Sequence, residues 1–239
     1  MKGVILAGGM GTRLRPMTLI TNKHLLPVYN KPMILYPILT LINSGIKDIM
    51  IICGKEHAGH FMNFLGSGEK YNAKFSYALQ DKNDGGIADA LRYAKDFSDR
   101  DNISMILGDN IFIDNFKQAI NKFTSGAMVF LKKVKDPHRF GIAEFDKKNN
   151  IIKIEEKPKN PKSNYAQTGF YIFDKNVFKI IENINPSSRG ELEITDVVNT
   201  YIDKKKINFH IVEKFWSDVG TLKSLTKTSC WIYKNHQKF

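Results

Sequence analysis

The most chemically suggestive segment lies near the start of the chain, where an apolar run leads directly into glycines. Residues 6–16 read Leu-Ala-Gly-Gly-Met-Gly-Thr-Arg-Leu-Arg-Pro. Glycines let backbone N–H groups approach phosphate oxygens closely, and the guanidinium of Arg13 has a fork that matches a phosphate. The segment is neither a Walker loop nor a dinucleotide fingerprint, because no Gly-Lys-Ser/Thr follows and Leu14 occupies the place of the third glycine. It predicts phosphate binding, with a tight strand-to-helix turn as the alternative.

Two lysines could add positive charge to such a phosphate site. Lys23 follows Arg13 by ten residues, so a loop could bring both cations to one triphosphate, which needs several cations to disperse its charge. Glu156 and Lys157 come just before Pro158, and as strand residues they would face opposite sides of a sheet. We interpret Lys157 as a phosphate ligand and Glu156 as a partner of sugar hydroxyls. The alternatives are surface lysines and a charged edge strand.

Two aspartates could hold a magnesium ion. Asp109 follows an apolar run and a glycine, and Asp218 lies in the segment Trp-Ser-Asp-Val-Gly-Thr at residues 216–221. Mg²⁺ commonly binds one or two protein carboxylates together with phosphates and waters. Taken singly, each aspartate could equally be a helix cap or a turn former.

The elements that must position these residues alternate between strand and helix in the first half of the chain. Short apolar runs predict strands buried on both faces at 4–6, 49–53 and 104–107. Between them, helical patterns cover 34–43, 56–65 and 87–97, with Pro37 marking a kink or the beginning of the first helix. Such alternation predicts a doubly wound α/β sheet.

The pattern changes after about residue 125. Strands are predicted at 127–131, 141–145, 151–154 and 169–173, with a hairpin turn at Asn149-Asn150, and helices at 193–202 and 222–233. Without a linker or repeat, we expect one domain over 1–239 with a mixed, mainly parallel sheet. Ligands of such sheets bind beyond the carboxyl ends of the strands, where Gly8, Asp109 and the segment after Gln80 would lie.

The composition narrows the function classes. The net charge is +12, but 30 of the 36 basic residues are lysines spread along the chain, whereas readers of base edges favour arginine. We therefore expect no nucleic-acid partner. No apolar stretch is long enough for a membrane span or a signal peptide, so we expect no membrane partner and a cytoplasmic location.

Together these segments resemble the sugar-1-phosphate nucleotidylyltransferases, most closely the glucose-1-phosphate thymidylyltransferases of the short bacterial type. The resemblance runs from Met1 to about Leu225. The motifs that carry it occur in a specific order. The chain opens with Lys-Gly-Val-Ile-Leu-Ala-Gly-Gly-x-Gly-Thr-Arg-Leu-x-Pro-x-Thr, followed by Asn-Lys-His-Leu-Leu-Pro-Val at 22–28, Gln80, Gly-Ile-Ala-Asp-Ala at 86–90 and Gly-Asp-Asn-Ile-Phe at 108–112. The second half adds Arg-Phe-Gly at 139–141, Glu-Glu-Lys-Pro at 155–158, Thr-Gly-Phe-Tyr at 168–171, Arg-Gly-Glu-Leu-Glu-Ile-Thr-Asp at 189–196 and the segment at 216–221.

The resemblance implies a single three-layer α/β/α Rossmann-like domain, with a nucleotide-binding part over about 1–125 and a sugar-phosphate-binding part over about 126–225. It implies catalytic roles for Arg13, Lys23 and Lys157, and a metal site for Mg²⁺ at Asp109 and Asp218. The nucleotide would be bound by Leu6, Ala7, Gly8, Gly9, Gly11, Thr12, Arg13, Lys23, Gln80 and Gly86. The sugar phosphate would be bound by Gly141, Glu156, Lys157, Thr168 and Tyr171.

The implied reaction transfers dTMP from dTTP to glucose 1-phosphate, in a homo-oligomeric enzyme. One departure from the pattern is Asp89, which stands where close thymidylyltransferases often carry Gln. A sibling enzyme that uses UTP, CTP or another sugar phosphate is the main alternative. A nucleotide-binding regulator with an inactive site is the remote one.

Overall fold

The centre of the molecule is a nine-stranded sheet. The computed structural model describes residues 1–81 and 85–235. Its strands are β1 Lys2–Ala7, β2 Pro27–Val28, β3 Lys31–Pro32, β4 Asp48–Gly54, β5 Lys74–Gln80, β6 Ile103–Leu107, β7 Asn110–Phe112, β8 Ala127–Lys133, β9 Gly141–Phe145, β10 Ile151–Glu156, β11 Tyr165–Phe173, β12 Ile207–Ile211 and β13 Trp216–Asp218. Its α-helices are α1 Leu35–Asn43, α2 Ala58–Leu65, α3 Ile87–Arg92, α4 Lys95–Ser98, α5 Lys117–Lys122, α6 Val177–Ile181, α7 Ile194–Asp203 and α8 Leu222–Asn235.

The sheet is mixed and mainly parallel, as the sequence predicts. Its order is β10-β9-β11-β6-β1-β4-β5, and β8 pairs with both β11 and β12. The pairings of β1 with β4 and β6, of β4 with β5 and of β12 with β8 are parallel. Because β11 is antiparallel to β6, β8 and β9, and β10 is antiparallel to β9, only β10 and β11 oppose the common direction among these nine strands.

Helices cover both faces of this sheet, because successive side chains of its central strands are apolar and point to opposite sides. Val4 and Leu6 belong to a core shared with α3, α6 and α7. Ile5 and Ala7 belong to a second core shared with α1, α2 and α5. The predicted three-layer α/β/α domain is confirmed.

Most predicted elements are present with small shifts at their ends. Pro37 lies in the first turn of α1, where proline is tolerated, so the first helix begins beside it. The hairpin of β9 and β10 turns at Asn149, which has a left-handed φ of 61°, and Asp146 accepts backbone bonds from Lys148 and Asn150. The single helix predicted over 87–97 is wrong: α3 ends at Arg92, and the short α4 begins at Lys95.

The ends of three strands place the site. β1, β5 and β6 run in parallel and end at Ala7, Gln80 and Leu107, so Gly8 and Asp109 follow at the same edge of the sheet. None of the helices in the described part of the chain has the length and apolar character that crossing a bilayer requires.

Candidate active site

The glycine loop leaves β1 and passes close to two polar side chains. A Cβ on Gly8 would lie 2.2 Å from Oε1 of Gln80, and one on Gly9 would lie 3.4 Å from Nζ of Lys23. Gly11 has a φ of 63° and precedes a 3₁₀ turn over Thr12–Leu14. Glycine is therefore needed here for two separate reasons: close approach at Gly8 and left-handed backbone at Gly11.

Lys23 and Asp109 form a buried ion pair at this edge. The Lys23 ammonium donates to Oδ2 of Asp109 over 2.5 Å, and the amide of Asn110 donates to Oδ1 over 3.0 Å. Burial acts to raise the pKa of Asp109, but the Lys23 charge and these two hydrogen bonds outweigh it and hold that pKa below its ordinary value. Asp109 is therefore a carboxylate throughout the physiological range.

Asp218 reaches the same place from far along the chain. β13 pairs with β7, which sets Asp218 opposite Asn110, and the backbone N–H of Val219 donates to the carbonyl of Asp109 over 2.9 Å. Burial and the charge of Asp109 raise the pKa of Asp218 to about 6, against the opposing influence of nearby cations that include Arg13. The two predicted metal ligands are therefore close enough to repel each other.

The side chains of Glu156 and Lys157 lie close together and not on opposite faces of the sheet. β10 ends at Glu156, and Lys157 has a left-handed φ of 45°, so its side chain does not follow the strand alternation. Its Nζ lies 3.3 Å from Oε1 of Glu156. The prediction of opposite faces is thus wrong, because the strand stops one residue too early. Arg189 also approaches Glu156, at 3.6 Å, but its closer partner is Glu193, at 2.8 Å.

The remaining residues predicted for the sugar phosphate come from β9 and β11. Thr168 donates its hydroxyl to the carbonyl of Phe130 over 2.8 Å. The hydroxyl of Tyr171 accepts from Nε2 of Gln167 over 3.1 Å, and burial together with the charge of Glu156 raises the pKa of Tyr171. Tyr171 is therefore a neutral hydroxyl beside a carboxylate, which suits the recognition of uncharged hydroxyls.

Most of the predicted site residues line one cavity of about 380 Å³. Its lining includes Leu6, Gly8, Gly9, Arg13, Lys23, Gln80, Gly86, Asp109, Gly141, Glu156, Thr168, Tyr171 and Asp218. Four other predicted residues are not among those that line it, namely Ala7, Gly11, Thr12 and Lys157. Ala7 is the last residue of β1, and Gly11 and Thr12 belong to the glycine loop and its turn. Lys157 contacts Glu156, which does line the cavity.

The cavity also includes residues to which the sequence assigned no role. His24, Asn110, Arg139 and Trp216 stand inside the motifs that carry the resemblance, whereas Gln167 precedes one. The position of Arg139 just before Gly141 was a usable signal, because Gly141 was itself a predicted ligand. Nothing in the local sequence shows that the buried amide of Asn110 bonds to three partners.

Comparison with known proteins shows which family the chain belongs to. A curated relative from Neisseria gonorrhoeae named glucose-1-phosphate thymidylyltransferase is 43% identical over 239 residues, which cover 97% of this chain and 82% of the relative. One of the same name from Mycobacterium tuberculosis (strain ATCC 25618 / H37Rv) is 40% identical, with coverage of 97% and 82%. A Bacillus anthracis structure provisionally given that name, solved in complex with a sucrose, has a TM-score of 0.92 and 48% identity, with coverage of 97% and 94%.

The fold extends to more distant enzymes. A UDP-glucose pyrophosphorylase solved with UDP-glucose superposes with a TM-score of 0.87 at 23% identity, covering 98% of each chain. The model of the nucleotidyl transferase family matches residues 2–235. The chain therefore belongs to the nucleotidyl transferase family of enzymes.

Proposed function

We propose that the protein transfers dTMP from dTTP to glucose 1-phosphate, giving dTDP-glucose and pyrophosphate. A phosphate oxygen of the sugar phosphate forms the new bond to the α-phosphorus. The bond between that phosphorus and the oxygen that links the α- and β-phosphates breaks, and pyrophosphate leaves with that oxygen. The observation that carries the proposal is the convergence of the glycine loop, Lys23, two carboxylates and Glu156 around one cavity. Relatives at about 40% identity bear the corresponding name.

The nucleophile needs no general base. The second pKa of a phosphate monoester is about 6, so the attacking oxygen is already largely anionic at neutral pH. The obstacles are the repulsion between two anions and their orientation, and holding reactants in line can remove roughly 7–11 kcal/mol of barrier in favourable cases. We propose a direct displacement in which Arg13 and Lys23 neutralise the triphosphate and Lys157 holds the sugar phosphate.

The residues present fit a magnesium ion. Asp109 and Asp218 offer hard carboxylate oxygens, and Asp109 raises the pKa of Asp218, a repulsion that a cation between them would relieve. When bound, Mg²⁺ would supply positive charge to phosphate oxygens. Lys23 keeps Asp109 ionised and available for this role through their ion pair.

Substitution of the cations tests the assigned roles. Arg13→Ala or Lys157→Ala is expected to lower turnover by about 10²-fold, the scale typical of losing one contact to the transition state. Asp109→Asn combined with Asp218→Asn is expected to nearly abolish turnover in excess Mg²⁺. Initial rates of pyrophosphate release measure both effects. Near-normal rates in both single variants would contradict the roles of the cations, and an active double variant would contradict the metal site.

A panel of triphosphates with glucose 1-phosphate tests the substrates. Thymine and uracil share one hydrogen-bonding edge, which the amide of Gln80 could read in either base. Their difference of one methyl is worth only about 1–3 kcal/mol, so the base alone gives dTTP a limited advantage. We therefore expect measurable use of UTP, which also differs from dTTP by its 2′-hydroxyl. A preference for UTP or CTP would favour the sibling enzyme. Binding of dTTP without turnover on any sugar phosphate would favour the regulator.

The cofactor, the cellular location and the oligomeric state form part of the same proposal. Family resemblance supports Mg²⁺ as the cofactor, a cytoplasmic location and a homo-oligomer. Light scattering after size exclusion would test the last of these, since a monomeric mass would contradict it.

A further inference from the structure

A single buried amide connects three strands at the edge of the cavity. Asn110 is 2% exposed and lies at the start of β7. Its Oδ1 accepts from the backbone N–H of Gly169 on β11 over 3.0 Å and from the indole N–H of Trp216 on β13 over 2.7 Å. Its Nδ2 donates to Oδ1 of Asp109 over 3.0 Å. Both ends of the amide are therefore occupied.

The orientation of this amide is fixed by its partners. Two donors face its oxygen and one carboxylate faces its nitrogen, so exchanging the two would set N–H groups against N–H groups. The backbone of β11 also comes unusually close, because a Cβ on Gly169 would lie 2.7 Å from both Cγ and Nδ2 of Asn110. The missing side chain at Gly169 therefore leaves the space that the amide of Asn110 occupies.

Asn110 lies next to both residues that carry the carboxylates of the site. Asp109 precedes it directly, and Asp218 is its Cα partner in the pairing of β7 with β13. That two-stranded ladder has only three residue pairs, flanked by backbone bonds from Val219 to Asp109 and from Ile113 to Phe215. Two strands alone have little stability of their own. Because the carboxylates repel each other, the strand that carries Asp218 needs an anchor. The bond from Trp216 to Asn110 supplies one within β13 itself.

We propose that Asn110 is a positioning residue that holds the carboxylates of Asp109 and Asp218 at the spacing needed to share one divalent cation. This inference rests on the proposed function, because it assumes that the two carboxylates bind the metal. Asn110 acts through its neighbours: it orients Asp109 directly and Asp218 by way of Trp216. Outer-sphere partners of this kind commonly set metal affinity.

The experiment compares metal binding in Asn110→Leu with that in a matched control, Asn199→Leu. Asn199 also ties two elements with one amide, since it accepts from the backbone N–H of Ile154 and donates to its carbonyl, but it joins α7 to β10 away from the carboxylates. Both variants lose hydrogen bonds that are wholly or partly buried, so both are expected to lose stability. Thermal unfolding measures that loss.

Two readouts measure metal binding. The first is Mn²⁺ binding to the substrate-free protein by electron paramagnetic resonance, and the second is the Mg²⁺ concentration that gives the half-maximal rate. Asn110→Leu is expected to weaken metal binding by about 10–100-fold in one or both readouts, whereas Asn199→Leu is expected to leave both readouts near their wild-type values. Unchanged metal readouts in a folded Asn110→Leu, or an equal shift in the control, would overturn the proposal.

A second variant decides the matter if Asn110→Leu does not fold. Trp216→Phe keeps an aromatic ring but removes the indole N–H that reaches Asn110, together with one ring of the indole. We expect a smaller shift in the same direction, and an unchanged Mn²⁺ affinity and Mg²⁺ requirement would overturn the proposal. A wild type that neither binds Mn²⁺ nor requires Mg²⁺ would instead contradict the proposed function.

Discussion

Gly220 shows how a residue without a side chain can govern the site. A Cβ at this position would lie 3.0 Å from Nη2 of Arg13 and 3.3 Å from Oδ1 of Asp218. Its backbone is not left-handed, so alanine is conformationally acceptable there. The three atoms nearest to such a methyl group would all belong to the ends of two side chains that we place in catalysis.

Gly220→Ala is accordingly expected to reduce turnover while leaving stability nearly unchanged. Displacing a positioned group by about 1 Å can cost on the order of 10²-fold in rate, so we expect a loss of about tenfold to 10²-fold. Steady-state kinetics and thermal unfolding of the same preparation measure the two effects. Gly59→Ala is the control, because its added methyl would meet nothing within 4 Å. Full activity in Gly220→Ala would show that Arg13 and Asp218 do not need their present positions.

Single residues were predictable where their type carries the chemistry. Arg13 and Asp109 stand out because a buried run that ends in glycine precedes each of them, and Lys23 because it follows Arg13 by ten residues. The cavity contains all three. Asn110 was not predictable in the same way. Its importance lies in bonds to Gly169 and Trp216, residues far away in sequence, and an amide gives no sign of such partners before the chain is folded.

At the scale of elements, the start of α3 joins the two parts of the domain. Gly86 precedes this helix with a φ of 90°, and a Cβ there would lie 2.6 Å from the carbonyl oxygen of Leu192. The backbone of Leu192 donates to Gly85 over 2.8 Å and accepts from Ala88 over 3.1 Å. The helix of the predicted nucleotide side is thus held against a segment of the predicted sugar side.

Gly86→Ala should therefore destabilise the fold. The backbone of Gly86, with φ of 90° and ψ of 175°, lies in a region almost exclusive to glycine, which costs a residue with a Cβ about 1–3 kcal/mol. The contact with Leu192 adds strain that backbone atoms cannot easily relieve. We expect the free energy of unfolding to fall by about 2 kcal/mol or more, measured by urea denaturation. Gly59→Ala again provides the comparison, with unchanged or slightly higher stability expected. A midpoint for Gly86→Ala equal to that of the wild type would mean that this junction is loose.

Elements were predictable when their apolar run was continuous and buried. β1, β4 and β6 meet that condition and were found. α6 was not, because Val-Phe-Lys-Ile-Ile is short and rich in β-branched residues, a pattern typical of a strand. It is a helix because its apolar side chains join the core shared with α3 and α7. β12 lies beside β8 with Asn208 and Phe209 exposed, so its sequence lacks the continuous apolar run of the central strands.

At the scale of the whole molecule, buried ionisable groups tie the stability of the fold to pH. His24 is buried beside the site, where burial and the charge of Lys23 lower its pKa to about 3. In the unfolded chain the same imidazole has its ordinary pKa of 6.5. The folded-state pKa is thus depressed, so the stabilisation linked to this group is present above pH 6.5 and is lost as the pH falls toward 3.

The loss amounts to about 1.4 kcal/mol for each pH unit below 6.5, or about 2 kcal/mol between pH 7 and pH 5. His24→Gln keeps a polar side chain and removes the titration, so its free energy of unfolding should fall less over this interval by about that amount. Asp218, whose pKa is raised to about 6, acts in the opposite direction, but it is present in both proteins and cancels in the comparison. Urea denaturation at the two pH values gives the difference. His60 is exposed on α2, and His60→Gln at the same two pH values is the control for the substitution itself. If His24→Gln retained the pH dependence of the wild type, the His24 imidazole would have to accept its proton in the folded protein as readily as in the unfolded chain, contrary to its burial here.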